Sequence, residues 1–280
     1  MRFIPVSNDL AVSRWAASYI VDKIQTFAPT ATRPFVLGLP TGGTAIAIYR
    51  ELVRYYSEGS ISFAHIVTFN MDEYVGLAAD HPQSYRFFMQ AHLFDHVDIK
   101  PDNIHFLDGT QADLVQECKR YEQAIEDQGG IDLFLGGVGQ DGHIAFNEPA
   151  SSLASRTRVK SLTPDTINAN ARFFNDNIDL VPKLALTVGV GTVLSAREVV
   201  IVATGEKKAA AVARSVEGSV NHMWTLSALQ LHPHAMLICD EPACSDLTLR
   251  TLRYFMGVEA DNIDSPIFVM PSVGDGACSV

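Results

Sequence analysis

Hydrophobic positions along the chain fall into two patterns that take turns. Short runs of β-branched and apolar residues recur at Pro34–Leu39, His65–Asn70, Ile131–Leu135, Leu184–Gly189, Val199–Ala203 and Ala235–Cys239. Their apolar character is unbroken rather than alternating, which predicts strands buried on both faces, as in a parallel sheet. Amphipathic segments lie between them. Across Thr44–Tyr56, for instance, Tyr49, Leu52, Val53 and Tyr56 form a stripe at helical spacing. Strand–helix alternation with no linker, repeat or low-complexity break predicts one doubly wound α/β domain over residues 1–265. The Gly- and Ser-containing stretch 266–280 is expected to be a loosely held tail.

In such folds ligands bind beyond the carboxyl ends of the strands, and three of the loops there carry chemistry. The first is Pro40-Thr41-Gly42-Gly43-Thr44, followed by a helix. Its glycines let backbone amides approach an anion, its hydroxyls add donors, and the helix N-terminus supplies partial positive charge. It lacks the Gly-Lys-Ser/Thr ending of a nucleotide P-loop, and an ordinary turn with a Thr cap is the alternative. The second loop is Met71-Asp72-Glu73-Tyr74-Val75-Gly76. An acid at a strand end beside Phe69 and Met71 is partly desolvated, which raises its proton affinity toward that of a working base. A simple turn acid is the plainer reading of Asp72.

The third loop is the densest: Gly136-Gly137-Val138-Gly139-Gln140-Asp141-Gly142-His143-Ile144-Ala145-Phe146-Asn147-Glu148-Pro149. Gly137, Gly139 and Gly142 match the spacing of a dinucleotide fingerprint, but Pro149 and a Ser- and Arg-containing run follow where a helix and a second strand with a ribose-binding acid are required. A nicotinamide cofactor is therefore rejected. Asp141 and His143 are two apart, so in extended backbone they share a face. A carboxylate beside an imidazole raises its proton affinity and fixes its tautomer, and Glu148 can do the same from the far side of the turn.

Composition narrows the partners. With 280 residues and 47% hydrophobic content the chain can bury a full core without disulfides. Cys118, Cys239, Cys244 and Cys278 show no CxxC spacing, so reduced thiols are expected rather than a zinc site. No apolar stretch reaches membrane-spanning length, and Met1-Arg2-Phe3-Ile4-Pro5 is unlike a signal peptide, so a cytoplasmic location is expected. A net charge of −11 argues against nucleic acid or an anionic membrane as partner. Against that background Arg156, Arg158, Lys160 and Arg172 stand close together with the single acid Asp165, an excess that suits an anionic ligand or a solvated loop. Lys207 and Lys208, beginning the helix after Val199–Ala203, are on the ligand side and can reach a phosphate or remain solvated. His92 and His96 have helical spacing but no HExxH context, and His232-Pro233-His234 looks like a turn, so no metal is assigned.

Taken together these stretches resemble the glucosamine-6-phosphate deaminase family. The matching segments are Leu37 to Thr44, Val67 to Gly76, Gly136 to Arg158, Leu186 to Thr192, Val220 to Thr225 and Leu231 to Pro233. The likeness runs from Met1 to about Ile263. It implies a Rossmann-like, mostly parallel α/β fold with helices on both faces, no cofactor or metal, and commonly a homohexamer. It implies conversion of glucosamine 6-phosphate and water to fructose 6-phosphate and ammonia. By resemblance His143, held by Asp141 and Glu148, opens the sugar ring, and Asp72 moves the proton from C2 to C1. The phosphate is expected against Thr41, Gly42, Gly43 and Thr44, with Arg172 and Lys208. An effector, N-acetylglucosamine 6-phosphate, is expected at Ser151, Arg158, Lys160, Ser161 and Tyr254, where Ser161 departs from the threonine of the family pattern but keeps its hydroxyl.

Two rivals share features of this reading. A 6-phosphogluconolactonase also cradles a sugar phosphate but needs no base for a C2 proton, so the Asp72 motif and Asn147-Glu148-Pro149 favour the deaminase. A sugar-phosphate sensor of a transcription regulator needs a helix-turn-helix module of about 60 residues ahead of the sugar domain. Here the first strand is expected by residue 34, which leaves room for one helix only. The segment Thr163 to Pro182 is a candidate lid.

Overall fold

The chain begins with β1 (Arg2–Val6) and α1 (Asp9–Phe27), then runs β2 (Phe35–Leu39), α2 (Gly43–Ser57), β3 (Ile66–Asn70), the short β4 (Asp72–Tyr74), α3 (Tyr85–His92), β5 (Ile104–His105), α4 (Leu114–Asp127) and β6 (Leu133–Gly137). The second half continues with β7 (Arg158–Ser161), α5 (Pro164–Asn170), β8 (Leu184–Thr187), α6 (Val190–Leu194), β9 (Glu198–Ala203), α7 (Ala209–Val216), β10 (Ala235–Asp240), α8 (Leu249–Val258) and α9 (Ala260–Ile263). The computed structural model describes residues 1–263; the expected tail at 266–280, with Cys278, lies outside the described residues.

Seven strands form the main sheet in the order β1-β10-β9-β6-β2-β3-β5, with every neighbouring pair parallel. This is the mostly parallel α/β fold that the alternating pattern predicts. Its strands are apolar on both faces for a visible reason. Phe3, Val36 and Phe134 point into a core shared with Tyr121 of α4 and Val212 of α7. Their neighbours Ile4, Leu37 and Leu135 point the other way, against Ile20 of α1, Leu52 of α2 and Met89 of α3. Each such side chain contributes about 1.5–3 kcal/mol on burial, so alternate residues are stabilised from opposite sides. The helices begin where the sequence supplies caps: Asn8, Ser84, Asp113, Thr163 and Thr248 each accept a hydrogen bond from a first-turn amide of α1, α3, α4, α5 and α8. Removing one such cap costs about 1 kcal/mol.

Three expectations change. The first strand is not at residue 34: β1 at Arg2–Val6 forms an edge of the main sheet against β10, and α1 follows it. Its short length and the proline inside it hide it among N-terminal residues. The run at Leu184–Gly189 is not a strand of the parallel sheet. Leu184–Thr187 is the centre of a separate three-stranded sheet, β4-β8-β7, paired antiparallel to both neighbours, and Gly189 caps α6. In its register Asp72, Thr187 and Arg158 stand side by side. Finally, Asp141 and His143 lie in a turn after β6 rather than in extended backbone.

The strand order sets the position of the cleft. From β2 the chain steps outward through β3 to β5; from β6 it steps the other way through β9 to β10. β2 and β6 are adjacent, so the connections diverge between them and leave a crevice beyond their carboxyl ends. Among the described residues no helix is long and apolar enough to cross a membrane.

Candidate active site

A cleft of about 1010 Å³ opens at that switch point, lined by the loops after β2, β3, β6 and β9 and by the segment that contains α5. It brings together Thr41, Gly42, Gly43, Thr44, Asp72, Asp141, His143, Arg172 and Lys208. Those nine residues come from five separate stretches of sequence. Glu148 is reached through His143 rather than from the cleft wall.

The loop after β2 is fixed from beneath. The hydroxyl of Tyr49 on α2 donates to the Pro40 carbonyl, and Met71 N donates to Leu39 O at 3.1 Å. Gly42 stands at the helix cap position, no side chain caps α2, and Ala45 N donates to Gly42 O at 3.1 Å. Thr44 does not cap the helix; its hydroxyl pairs with that of Thr204 at 3.0 Å. Lys208, at the start of α7, is half-buried. Burial lowers its proton affinity, Asp141 raises it, and Arg172 and Lys207 lower it again. Lys208 and Arg172 both line the cleft, with the Asp141 carboxylate close enough to Lys208 to act on it. Arg172 is exposed and its guanidinium lies over Phe173, 4.6 Å from the ring centre. Lys207 is exposed and does not line the cleft.

Asp72 begins β4 and is 6% exposed. The backbone just before it is pinned twice: Tyr121 donates its hydroxyl to Asn70 O, and Val188 N donates to Met71 O at 2.8 Å. Burial pushes the carboxyl up to about 8, the neighbouring Glu73 adds to the rise, and His143 partly offsets it. Glu73 is itself buried, yet it accepts from Tyr74 N at 2.8 Å, Tyr85 N at 3.0 Å and Arg86 N at 3.1 Å. It therefore acts as a fixed charge at the start of α3.

His143 is held from one ring nitrogen. Nδ1 lies 2.6 Å from Asp141 Oδ1 and 3.4 Å from Glu148 Oε2. Burial lowers the imidazole's proton affinity, but contact with Asp141 and Glu148 more than offsets it and raises the group to about 9. Burial raises the Asp141 carboxyl, but contact with His143, and after it Glu148, outweighs that and holds the group at about 2. The ring packs onto Gly139, where a Cβ would lie 2.5 Å from the imidazole. Gly142 has φ +78°, and a Cβ there would meet Trp224 at 2.6 Å. These two glycines thus make room for protein side chains, not for the ligand; at Gly137 the space is open to the cleft.

Asp141, His143 and Glu148 also form a group with metal-ligand types among the described residues. Two ligands on a tetrahedral zinc sit about 3.3 Å apart given bonds of about 2.0 Å, whereas Nδ1 and Oδ1 stand at 2.6 Å. The spacing is that of a charge pair.

Residues that the sequence did not single out complete the wall. Tyr74, Tyr85, Phe146 and Phe174 form an aromatic patch, with Tyr74 in contact with the other three at 4.9–5.9 Å between ring centres. Only their shared proximity to β4 in space connects them. Of the cations in the basic run, Arg156 is bound to Glu122 at 2.5 Å and Arg158 donates to Asn147 Oδ1 at 2.8 Å. Ser151 is buried with its hydroxyl unpartnered, Lys160 is half-buried and Ser161 exposed on β7. Tyr254 is 65% exposed on α8, a helix packed on β1. The structure thus places Ser151, Arg158, Lys160 and Ser161 in one region and Tyr254 on a different element.

The sequence profile described as glucosamine-6-phosphate isomerases/6-phosphogluconolactonase matches residues 7–239. The chain belongs to that family. Within it, the chain is 60% identical to the glucosamine-6-phosphate deaminase of Tolumonas auensis, over 94% of this chain and 99% of the relative. It is 60% identical to that of Proteus mirabilis, over 93% and 97%. Among solved structures, a monomeric glucosamine-6-phosphate deaminase is 40% identical with a TM-score of 0.84, covering 88% of this chain and all of that one. The 6-phosphogluconolactonase of Trypanosoma cruzi is 20% identical with a TM-score of 0.69, over 88% and 97%, and shares the fold alone. Both branches of the family therefore use this sheet, and the contents of the cleft must separate them.

Proposed function

We infer that the cleft isomerises and deaminates glucosamine 6-phosphate, giving fructose 6-phosphate and ammonia with the uptake of one water. The observation that carries this reading is the pair Asp72 and His143 in one cleft, each with raised proton affinity. Ring opening needs a group that takes the anomeric hydroxyl proton and delivers one to the ring oxygen, and an imidazole flanked by two carboxylates suits that exchange. Enolisation then needs a base for the C2 proton, and a desolvated carboxylate at a fixed position suits it. Asp72 takes that proton and returns it to C1, which leaves an imine at C2. Water adds to the imine carbon, and the C–N bond breaks to release ammonia and the ketose. Lactone hydrolysis leaves the C2–H bond of its substrate intact and so needs no base in the position of Asp72.

The phosphate lies against the Gly42-Gly43-Thr44 amides with Thr41, Arg172 and Lys208 around it. Binding the substrate by this end orients C1 and C2 between the two proton carriers. Ser151, Arg158, Lys160, Ser161 and Tyr254 form the effector site for N-acetylglucosamine 6-phosphate; Tyr254 would reach it from another copy of the chain in a homohexamer. Three described cysteines, Cys118, Cys239 and Cys244, are buried as free thiols, which suits a cytoplasmic enzyme.

An ammonia-release assay on glucosamine 6-phosphate, with 6-phosphogluconolactone hydrolysis measured beside it, tests the main reading. Ammonia release is expected; lactone hydrolysis alone would overturn it. In the same assay velocity should be sigmoidal in substrate and become hyperbolic with the acetylated sugar phosphate. Curves unchanged by that compound would remove the effector assignment. Analytical ultracentrifugation separates six copies from the monomer of the solved relative.

A further inference from the structure

The segment carrying α5 is tied to the cleft at two points. Asn170, its last residue, donates from Nδ2 to the Tyr74 hydroxyl at 2.8 Å, and Tyr74 shares β4 with Asp72. Near its first turn, Thr166 donates from Oγ1 to Glu148 Oε1 at 2.6 Å. The Thr166 hydroxyl in turn accepts from Thr163 Oγ1 at 3.2 Å, and Thr163 is the cap of α5. An unbroken line of contacts therefore runs Thr163–Thr166–Glu148–His143–Asp141. Glu148 is 2% exposed, its Oε2 faces His143 Nδ1, and Oε2 has no hydrogen bond of its own. Thr166 is the side-chain donor that fixes which way this buried carboxylate turns.

We propose that Thr166 is a positioning residue: its hydroxyl, delivered by α5, holds Glu148 against His143, so that the ring-opening group is set only when the lid helix is seated. This rests on the assignment of ring opening to His143. A buried carboxylate with one oxygen bonded to a hydroxyl can present the other in a fixed direction, and a charge-assisted bond of this kind is about twice as strong as a neutral one. With the hydroxyl gone, Oε1 is left buried without its donor, a costly state. The carboxylate then turns to another partner or takes up a proton, and in both cases His143 loses part of the negative field that holds its proton.

The charged groups around His143 are Asp141 and Glu148 from its own turn and Asp72 from β4; Lys208 from the start of α7, and Asp165 and Arg172 from the segment carrying α5, line the same cleft. Asp141, in the closer contact, is untouched by a change at Thr166. The expected effect is thus a partial shift, not collapse to the free imidazole.

The test compares Thr166→Val, which keeps the shape and removes the hydroxyl, with Thr166→Ser, which restores it. The His143 ring resonances of the ligand-free protein are followed by NMR across pH, and kcat/KM for glucosamine 6-phosphate is measured over the same range. In Thr166→Val the His143 midpoint should fall by about one pH unit, the alkaline limb of the rate profile should move down with it, and kcat should drop roughly tenfold. Thr166→Ser should return both midpoints toward those of the parent. A Thr166→Val protein whose His143 midpoint is unchanged overturns the proposal, whatever its rate or melting temperature. A midpoint that falls while the alkaline limb stays put upholds the positioning and overturns the role given to His143.

Discussion

Asp72 and His143 occupy the same cleft, and both hold a proton more tightly than the free side chains do, yet the causes are opposite. At Asp72 burial is the dominant influence and the neighbouring charge of Glu73 adds to it. At His143 burial acts against the proton, and contact with Asp141 and Glu148 more than offsets it. A shift built by exclusion of water is spread over many packed residues, here Tyr121, Val188 and the aromatic patch. No single distant substitution removes it. A shift built by two contacts is concentrated, and one misplaced carboxylate undoes much of it. The proposed base, Asp72, sits in the robust environment; the proposed ring-opening group, His143, sits in the adjustable one.

The largest effect expected from breaking this pairing is that of Asp72→Asn. Solvent exchange of the C2 proton should vanish, with turnover down on the order of a thousandfold or more, while sugar-phosphate binding stays measurable by calorimetry. The same variant should be the more stable protein in alkali. Because the folded carboxyl titrates near 8, above its unfolded value, its contribution to stability is full below about pH 4 and is lost as pH rises through 8. Thermal unfolding at about pH 9 should therefore favour Asp72→Asn, and the gain should shrink toward pH 5. Equal melting temperatures at both pH values would mean that the carboxyl is not desolvated.

His143→Gln comes next. Turnover of the ring-closed sugar should fall on the order of a hundredfold, whereas C2 exchange in an open-chain analogue should persist, which separates the two corners directly. The parent's stability owes something to His143 that is present in full below about pH 6.5 and lost as pH rises through about 9. The variant's melting temperature should decline less across that interval. Loss of exchange in both substrates would merge the two roles into one.

The smallest change is expected from Glu73→Gln. Removing this charge takes away one of the two influences that raise Asp72 and leaves burial in place, so the acid limb of kcat/KM should move down by less than one pH unit. An unmoved limb would assign the whole shift to burial.

Much of this is legible in the order of residues alone. Unbroken apolar runs point to the parallel sheet because each strand feeds two cores, and the loops after β2, β3 and β6 announce themselves by glycines and acids at strand ends. Three things are not legible. β1 carries a proline and five residues only, too little pattern for recognition. β8 is as apolar as its parallel neighbours, and nothing in its composition tells that it pairs antiparallel with β4 and β7. The roles of Gly139 and Gly142 are likewise set by the His143 and Trp224 rings that fall upon them, a matter of tertiary approach that spacing along the chain does not encode. Thr166 falls in the same class: its hydroxyl matters because α5 folds back over Glu148, eighteen residues away.

The small sheet has a consequence of its own. Asp72, Thr187 and Arg158 form one rung across β4, β8 and β7, so the base and a cation of the proposed effector site are two strands apart, about 10 Å at ordinary strand spacing. Thr187 also accepts a hydrogen bond from Phe146 N at 3.0 Å, which joins the rung to the turn bearing His143. Arg158, Asp72 and the turn bearing His143 thus share one hydrogen-bonded ladder that stands apart from the seven-stranded sheet.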